Sequence, residues 1–218
     1  MINYTSAREN MVESQIRPNR VTDERLLEAM RTIPREKFVP AHMQGFAYID
    51  EDIDLGNGRF LQEPMVLARL IQSADIAPTD VVLDIGCGTG YSTAVMSKMA
   101  STVVGIERDD KLAEQAENLL KSLDITNAVI FHNDLTQGYE AQAPYDVILI
   151  NGSLPEVPPE IFEQLIDGGR LITVLSEDGR PGQAVMYTRV RDIVSEKVVF
   201  DAATPFLKEF SKGEEFVF

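Results

Sequence analysis

Val81-Val82-Leu83-Asp84-Ile85-Gly86-Cys87-Gly88-Thr89-Gly90-Tyr91 is a short apolar run, an acid, and three glycines spaced by single residues. A helical pattern over Ser92–Ala100 follows at once. This is the order of a buried strand turning sharply into a helix. Glycines allow positive φ and let a ligand approach the main chain with no Cβ in the way. The helix behind them offers free N–H groups and the positive end of its dipole. The acid at the strand tip can accept from a cationic or hydroxylated ligand. The stretch therefore predicts a ligand site at a strand-to-helix turn.

Working outward, strands and helices alternate. Strand Thr102–Ile106 is followed by helix Asp109–Leu123, strand Ala128–His132 by a loop, and strand Val147–Asn151 by a proline-rich loop and helix Pro159–Leu165. Strand Gly169–Leu175 comes next. This order predicts an α/β fold, a doubly wound, mostly parallel sheet covered on both faces. From Gln183 the pattern changes to an antiparallel hairpin, Ala184–Arg191 and Ser195–Phe200, joined near Asp192 and followed by a mixed tail, Phe206–Phe218.

Upstream, an amphipathic helix runs from about Ser6 to Arg17 and stops before Pro18. Thr22 reads as the N-cap of a second helix, Asp23–Thr32, and Glu36–Pro40 as an extended link. Residues 41–63 read as irregular, with a solvated acidic tract (Asp50-Glu51-Asp52-Ile53-Asp54) and a Gly56-Asn57-Gly58 turn. Pro64 opens a helical pattern over Met65–Ala74. The expected division is an N-terminal helical segment and active-site loop over 1–64, a ligand-binding core over 65–182, and C-terminal strands and tail over 183–218.

Composition narrows the function. At 218 residues and 44% hydrophobic content, the chain can bury a full core. Its formal charge of −15 repels phosphate backbones and makes nucleic acid an unlikely partner. One cysteine, Cys87, allows neither a disulfide framework nor a cysteine-based zinc site. His42 and His132 lie far apart, so no metal is expected. No window of 18 apolar residues is present, and Met1-Ile2-Asn3-Tyr4-Thr5 lacks the pattern of a signal peptide. A cytoplasmic, membrane-free protein is the expectation; oligomeric state is not legible.

Three carboxylates define the ligand. A dinucleotide turn usually opens with glycine to seat a pyrophosphate. Asp84 in that place would repel phosphate and suits a cationic, amino-acid-like group. Glu107, ending the second strand, can take both hydroxyls of a ribose. Asp134, after the third strand, is placed to accept from the amine of adenine. An amino-acid end, a ribose and an adenine without phosphate describe S-adenosylmethionine. The run Leu83–Tyr91 resembles the glycine motif of class I methyltransferases, whose Rossmann-like sheet has seven strands. The candidate cofactor-binding residues are Phe60, Leu61, Gln62, Asp84, Gly86, Gly88, Gly90, Tyr91, Glu107, Arg108, Asp134, Leu135 and Asn151.

A closer resemblance covers nearly the whole chain. Arg31-Thr32-Ile33-Pro34-Arg35-Glu36-Lys37-Phe38-Val39-Pro40, Ala47-Tyr48-Ile49-Asp50, Gly56-Asn57-Gly58, Glu63-Pro64, Ala143-Pro144-Tyr145-Asp146-Val147-Ile148 and Pro155-Glu156-Val157-Pro158 resemble protein-L-isoaspartate O-methyltransferases. The resemblance implies methylation of the α-carboxyl of isoaspartyl residues in damaged peptides or proteins, after which the ester cyclises to a succinimide that reopens partly to aspartate. It also implies two departures. The family's loop reads roughly Gln-Thr-Ile-Ser-Gln-Pro, with the serine as active-site residue. Here it reads Arg59-Phe60-Leu61-Gln62-Glu63-Pro64, so Gln62 takes the serine position. The family's Thr-Ala-Ala after the fourth strand is Asn151-Gly152-Ser153. Gln62 and Asn151 are thus the candidate catalytic positions, and Arg59 adds a cation suited to a substrate carboxylate.

No general base is expected, because a carboxylate is already ionised and nucleophilic at neutral pH. Preserved repair and a changed acceptor both remain open, because a scaffold does not fix its substrate. Alternatives are a small-molecule O- or N-methyltransferase and a cofactor-binding protein without turnover. A nucleic-acid methyltransferase is disfavoured by charge, by Asn151-Gly152-Ser153-Leu154 in place of Asn/Asp-Pro-Pro-Tyr/Phe, and by the lack of a cysteine nucleophile outside the glycine turn.

Overall fold

The computed structural model describes residues 2–177 and 180–211. Helices α1 (Tyr4–Met11) and α2 (Glu24–Thr32) lead to a hairpin, β1 (Ile53–Gly56) and β2 (Arg59–Leu61), and to α3 (Pro64–Ser73). The alternating part runs β3 (Val81–Ile85), α4 (Tyr91–Met96), β4 (Thr102–Glu107), α5 (Asp110–Ser122), β5 (Ala128–His132), β6 (Tyr145–Leu154), α6 (Pro159–Glu163) and β7 (Leu165–Leu175). The hairpin β8 (Gly182–Val190) and β9 (Ile193–Ala202) completes it.

Seven strands form one sheet in the order β5-β4-β3-β6-β7-β8-β9. The first five pair in parallel, and β8 and β9 join antiparallel. The strand order reverses between β3 and β6, and such a switch point opens a crevice at the carboxyl ends of the strands. Both faces are buried, as near-continuous apolar strands require. Val82, Val103 and Val147 pack beneath the N-terminal helices. Their neighbours Leu83, Val104 and Ile148 face the opposite way, in a cluster with Ile161 of α6 and with Leu207 and Phe210 of the C-terminal segment. Asp84 follows the parity of Val82 and meets α4.

The fold class matches the sequence reading, and several local expectations change. The first helix does not run regularly to Arg17: after Met11 it widens into a π-helical turn over Val12–Ile16 and tightens over Arg17–Asn19. This keeps Met11, Val12 and Ile16 together in the core. The second helix is capped by Asp23, not Thr22; the Asp23 carboxylate accepts from Arg25 N at 2.9 Å. The Thr22 N–H bonds Gln72 instead. Residues 41–63 are not irregular throughout. Ala41–Phe46 is a 3-10 segment, and Gly56-Asn57-Gly58 turns the β1–β2 hairpin. Within the acidic tract, Asp50, Glu51 and Asp54 are exposed as expected, but Ile53 is buried and Asp52 accepts from Glu63 N at 2.9 Å. Strand β6 continues past Asn151 to Leu154, where a loop was expected. Of the mixed tail over Phe206–Phe218, residues 212–218 lie outside the described residues, as does Met1.

Asp109 caps α5 rather than beginning it. Its Oδ1 accepts from Lys111 N at 2.9 Å and Leu112 N at 3.1 Å, and its Oδ2 accepts from Asn57 Nδ2 at 2.6 Å. One carboxylate thus ties the hairpin turn to the sheet. Asp109→Ala is expected to lower stability by about 1 kcal/mol or slightly more, read from the urea unfolding midpoint.

Candidate active site

The turn after β3 is held by the main chain. Gly86 and Cys87 donate to Ile106 O at 2.9 and 3.2 Å, and Gly90 N donates to Cys87 O at 2.8 Å. Gly90 lies at φ +87°, and a Cβ there would sit 3.1 Å from the Cβ of Ala116 in α5. Only glycine lets the turn and that helix meet this closely. A Cβ on Gly88 would sit 3.0 Å from Leu55 Cδ1 of the hairpin, and one on Gly86 3.5 Å from Leu135. The hairpin therefore folds down over the turn.

Asp84 is fully buried and is gripped by three donors: Ser92 Oγ at 2.7 Å, Thr93 Oγ1 at 2.5 Å, and Asn151 Nδ2. Asn151 also donates to Ser92 Oγ at 3.1 Å. Burial pushes the Asp84 carboxyl up to about 6, the three hydrogen bonds oppose that shift, and the charge of Glu107 adds to it. The sequence placed Asp84 and Asn151 in separate motifs; the switch point makes them direct partners.

Glu107 is also fully buried. Its Oε1 accepts from Arg108 N at 2.7 Å, Asp109 N at 3.0 Å and Arg59 Nε at 2.8 Å, and its Oε2 accepts from Gly88 N at 2.9 Å. Arg59 then forks onto Glu209, with Nη2–Oε1 at 2.9 Å and Nη1–Oε2 at 3.2 Å. The result is a nearly dry Glu107–Arg59–Glu209 triad joining β4, the hairpin and the C-terminal segment. The expectation that Arg59 stands free for a substrate carboxylate is corrected: two protein carboxylates already hold it.

Gln62 is 3% exposed. Its Nε2 donates to Thr204 Oγ1 at 3.1 Å, and its Oε1 is buried without a partner among the described residues. Its own carbonyl accepts from Arg35 Nη2 at 2.6 Å. Next to it, burial and then the acids Asp52, Asp50 and Glu51 push Glu63 up to about 7. Gln62, Asn151, Arg59 and Phe60 face Gly152, Thr204 and Leu207 across a cleft of only ≈ 10 Å³. That is room for about one water molecule. A roomier surface cleft of ≈ 510 Å³, between Gln137, Glu140, Pro144 and Glu163, contains none of these groups.

The other candidates divide. Phe60 is partly exposed at the cleft lip, and Leu135 is buried against Gly86. Arg108 is exposed, and its carbonyl meets His132 Nε2 at 2.8 Å. Asp134 caps a short 3-10 turn, with Oδ1 accepting from Thr136 N and Oγ1 at 3.0 and 2.9 Å. Two candidates lie elsewhere than expected. Tyr91 turns into the core, edge-on to Phe38 at 5.4 Å. Leu61 is buried in the same core, opposite Ile53.

The profile of the protein-L-isoaspartate(D-aspartate) O-methyltransferase family matches residues 6–203. The chain belongs to this family. The protein-L-isoaspartate O-methyltransferase of Koribacter versatilis is 41% identical over 165 residues, 76% of this chain and 74% of its own length. That of Roseiflexus castenholzii is 38% identical over 188 residues, 86% of this chain and 85% of its own. A solved protein-L-isoaspartate O-methyltransferase structure superposes with a TM-score of 0.79 at 26% identity, covering 92% of this chain; the chain spans 65% of that structure's length. The sequence readings of a methyltransferase resembling the isoaspartyl enzymes, with S-adenosylmethionine as its cofactor, are borne out at the level of the family.

Within the protein-L-isoaspartate O-methyltransferase scaffold, the sequence reading missed three contributors. Glu209 lies in a tail without periodicity, so nothing in the sequence pointed to it. Thr204 reaches Gln62 through a segment that crosses the end of β6, where Ser153 N donates to Pro205 O at 2.9 Å and Leu207 N to Ser153 O at 2.8 Å. Arg35 stands within the Arg31–Pro40 segment that carries the family resemblance. Its position beside Pro34 carried no sign that it would be fully buried.

Proposed function

We propose that this chain transfers the methyl group of S-adenosylmethionine to a peptide or protein carboxylate, the α-carboxyl of isoaspartyl residues foremost. The observation that carries this reading is the buried Asp84–Ser92–Thr93–Asn151 cluster at the switch point, opening onto the cleft lined by Gln62. The donor set suits the cofactor. Asp84 offers a carboxylate to a cationic amino group and disfavours phosphate. Glu107 is the acceptor for the ribose hydroxyls. Asp134 keeps Oδ2 without a hydrogen bond to the described residues, suited to the adenine amine.

When bound, the cofactor supplies an electrophilic sulfonium methyl. The chain's own task is to orient, neutralise and exclude water. Asn151 locks Asp84 to α4. Gln62 and Asn151 bracket the place where acceptor and methyl group must align, and such alignment contributes up to about 7–11 kcal/mol when ideal. No residue has to remove a proton, because the acceptor is already ionised. Glu107 Oε1 already accepts three bonds, so two ribose hydroxyls can take this carboxylate only if Arg59 gives ground. With the cleft this narrow, the β1–β2 hairpin or the 203–210 segment moves aside as the ligands bind.

The test is methyl transfer from labelled cofactor to an isoaspartyl peptide and to its normal aspartyl twin. Selective labelling of the isoaspartyl form is expected. Labelling of neither, with micromolar cofactor binding intact, would refute the repair reading and favour a different acceptor. Gln62→Ser removes a buried, unpartnered oxygen whose burial costs about 1–3 kcal/mol, and it widens the cleft. It is expected to raise kcat/KM for the isoaspartyl peptide several-fold, about 3- to 10-fold. An unchanged or lower value would show that the loop has been rebuilt around glutamine.

A further inference from the structure

Two arginines flank the cleft, and their charges are not equivalent. Arg59 lies between Glu107 and Glu209, so its charge is more than balanced. Arg35 is the reverse case. Its side chain is fully buried, and it forms no ion pair among the described residues. Its Nε donates to Ala47 O at 2.7 Å and its Nη2 to Gln62 O at 2.6 Å, both neutral carbonyls. Its Nη1 has no partner among the described residues. The guanidinium carbon stands 4.9 Å from the centre of the Tyr91 ring, and the buried Tyr91 hydroxyl makes no well-formed hydrogen bond among the described residues but interacts electrostatically with the guanidinium.

An arginine cannot shed its charge at ordinary pH. A buried charge without a counter-ion is costly. The chain carries −15, and the loop carboxylate that acts on Arg35, Asp52, forms no ion pair with it and is turned to Glu63 N. A protein this acidic repels anions at long range. A buried cation with no ion-pair contact, hydrogen-bonded to the carbonyl of the cleft residue Gln62, offsets that locally. Its surroundings also connect the two halves of the site. Phe38, from the same short turn as Arg35, packs on Tyr91, and its carbonyl accepts from Thr89 Oγ1 of the glycine turn at 2.6 Å. Arg35 thus fixes the Gln62 loop against the segment that follows β3.

Resting on the methyl-transfer reading above, we infer that Arg35 is the positioning residue for the acceptor: acting through Gln62, it supplies the charge that makes the cleft receptive to a carboxylate. It touches neither acceptor nor cofactor. The acceptor class it selects is anionic at the reacting group, whatever the flanking sequence.

The probe is an isoaspartyl peptide and the same peptide with its α-carboxyl as the carboxamide, the latter used as a competitive inhibitor. The wild-type enzyme is expected to bind the carboxylate form about tenfold or more tighter than the carboxamide. Arg35→Gln is expected to erase that difference and raise KM for the peptide by a similar factor, while KM for the cofactor stays within about twofold. Arg35→Lys keeps the charge but not the fork and is expected to restore most of the discrimination. A purely structural role would instead shift both KM values and would not be rescued by lysine. If Arg35→Gln does not fold, the wild-type comparison and Arg35→Lys still decide. A wild-type enzyme that methylates the peptide yet binds the carboxamide equally well overturns the Arg35 assignment alone. An enzyme that binds the cofactor but neither binds nor methylates the peptide overturns the acceptor reading and this inference together.

Discussion

Arg59→Met is expected to destabilise the fold by about 3–5 kcal/mol, because it leaves a buried carboxylate without its cation. Glu107 is fully buried and Arg59 is 4% exposed, so water is not there to take over. Glu107 would retain only the main-chain donors Gly88, Arg108 and Asp109. Urea unfolding measures the loss. A change below about 1 kcal/mol is the size expected of an exposed pair and would show that the triad contributes little. Glu209→Gln should cost less, since Glu209 is the more exposed end of the triad. The double variant should lose less than the two singles together, by a coupling of about 0.5–3 kcal/mol. If Glu107 takes the ribose as proposed, Arg59→Met also frees that carboxylate, and calorimetry should show the cofactor binding tighter to the folded variant.

Asp84→Asn is expected to separate stability from function. Burial pushes the Asp84 carboxyl up to about 6, against an ordinary value of 3.8. Its folded-state value is raised, so the native chain binds this proton more tightly than the unfolded chain does. The folded state therefore carries a penalty that is fully present above about pH 6, shrinks as the pH falls, and is gone below 3.8. The full penalty is on the order of 3 kcal/mol. Asparagine has nothing to ionise, so the variant should be more stable than the wild type at pH 7 and equal to it near pH 3.5. Cofactor binding should be abolished at every pH, and calorimetry is the check. A variant less stable at pH 7 would show that Ser92, Thr93 and Asn151 stabilise the ionised acid by more than its burial costs. Near-normal cofactor affinity would refute the role of Asp84.

The fold was largely readable because its signals are local. The apolar runs of β3, β4 and β5 are continuous, and their glycine and acidic boundaries are sharp. Asp84, Glu107 and Asn151 stood out as candidates for the same reason: each lies in the carboxyl-terminal half of a strand, Glu107 at its last residue, where a parallel sheet gathers its ligand groups. The partners of these residues were not readable. Arg59 meets Glu107, and Gln62 meets Thr204, across separations set only by how the hairpin and the C-terminal segment fold over the sheet. The hairpin itself escaped because strands of four and three residues are too short to show a period. Tyr91 was misplaced because adjacency to the glycine turn does not say which way a side chain leaves the first turn of a helix. Arg35 sat in plain view, but burial of an unpaired arginine runs against every compositional expectation.

The triad has a consequence for the order in which the protein is made. Its members emerge from the ribosome in the sequence Arg59, Glu107, Glu209, and β3, β4 and β6 can assemble once residue 154 is out. Until the segment after β9 arrives, Arg59 has one carboxylate rather than two, Leu207 does not yet lie over Gly152, and the crevice at the strand ends stands open. Closure of the cleft therefore comes after the strands of the sheet have been made. A nascent polypeptide that has released residue 154 but not the segment after β9 should already pair β3, β4 and β6 while its ligand crevice is still uncovered.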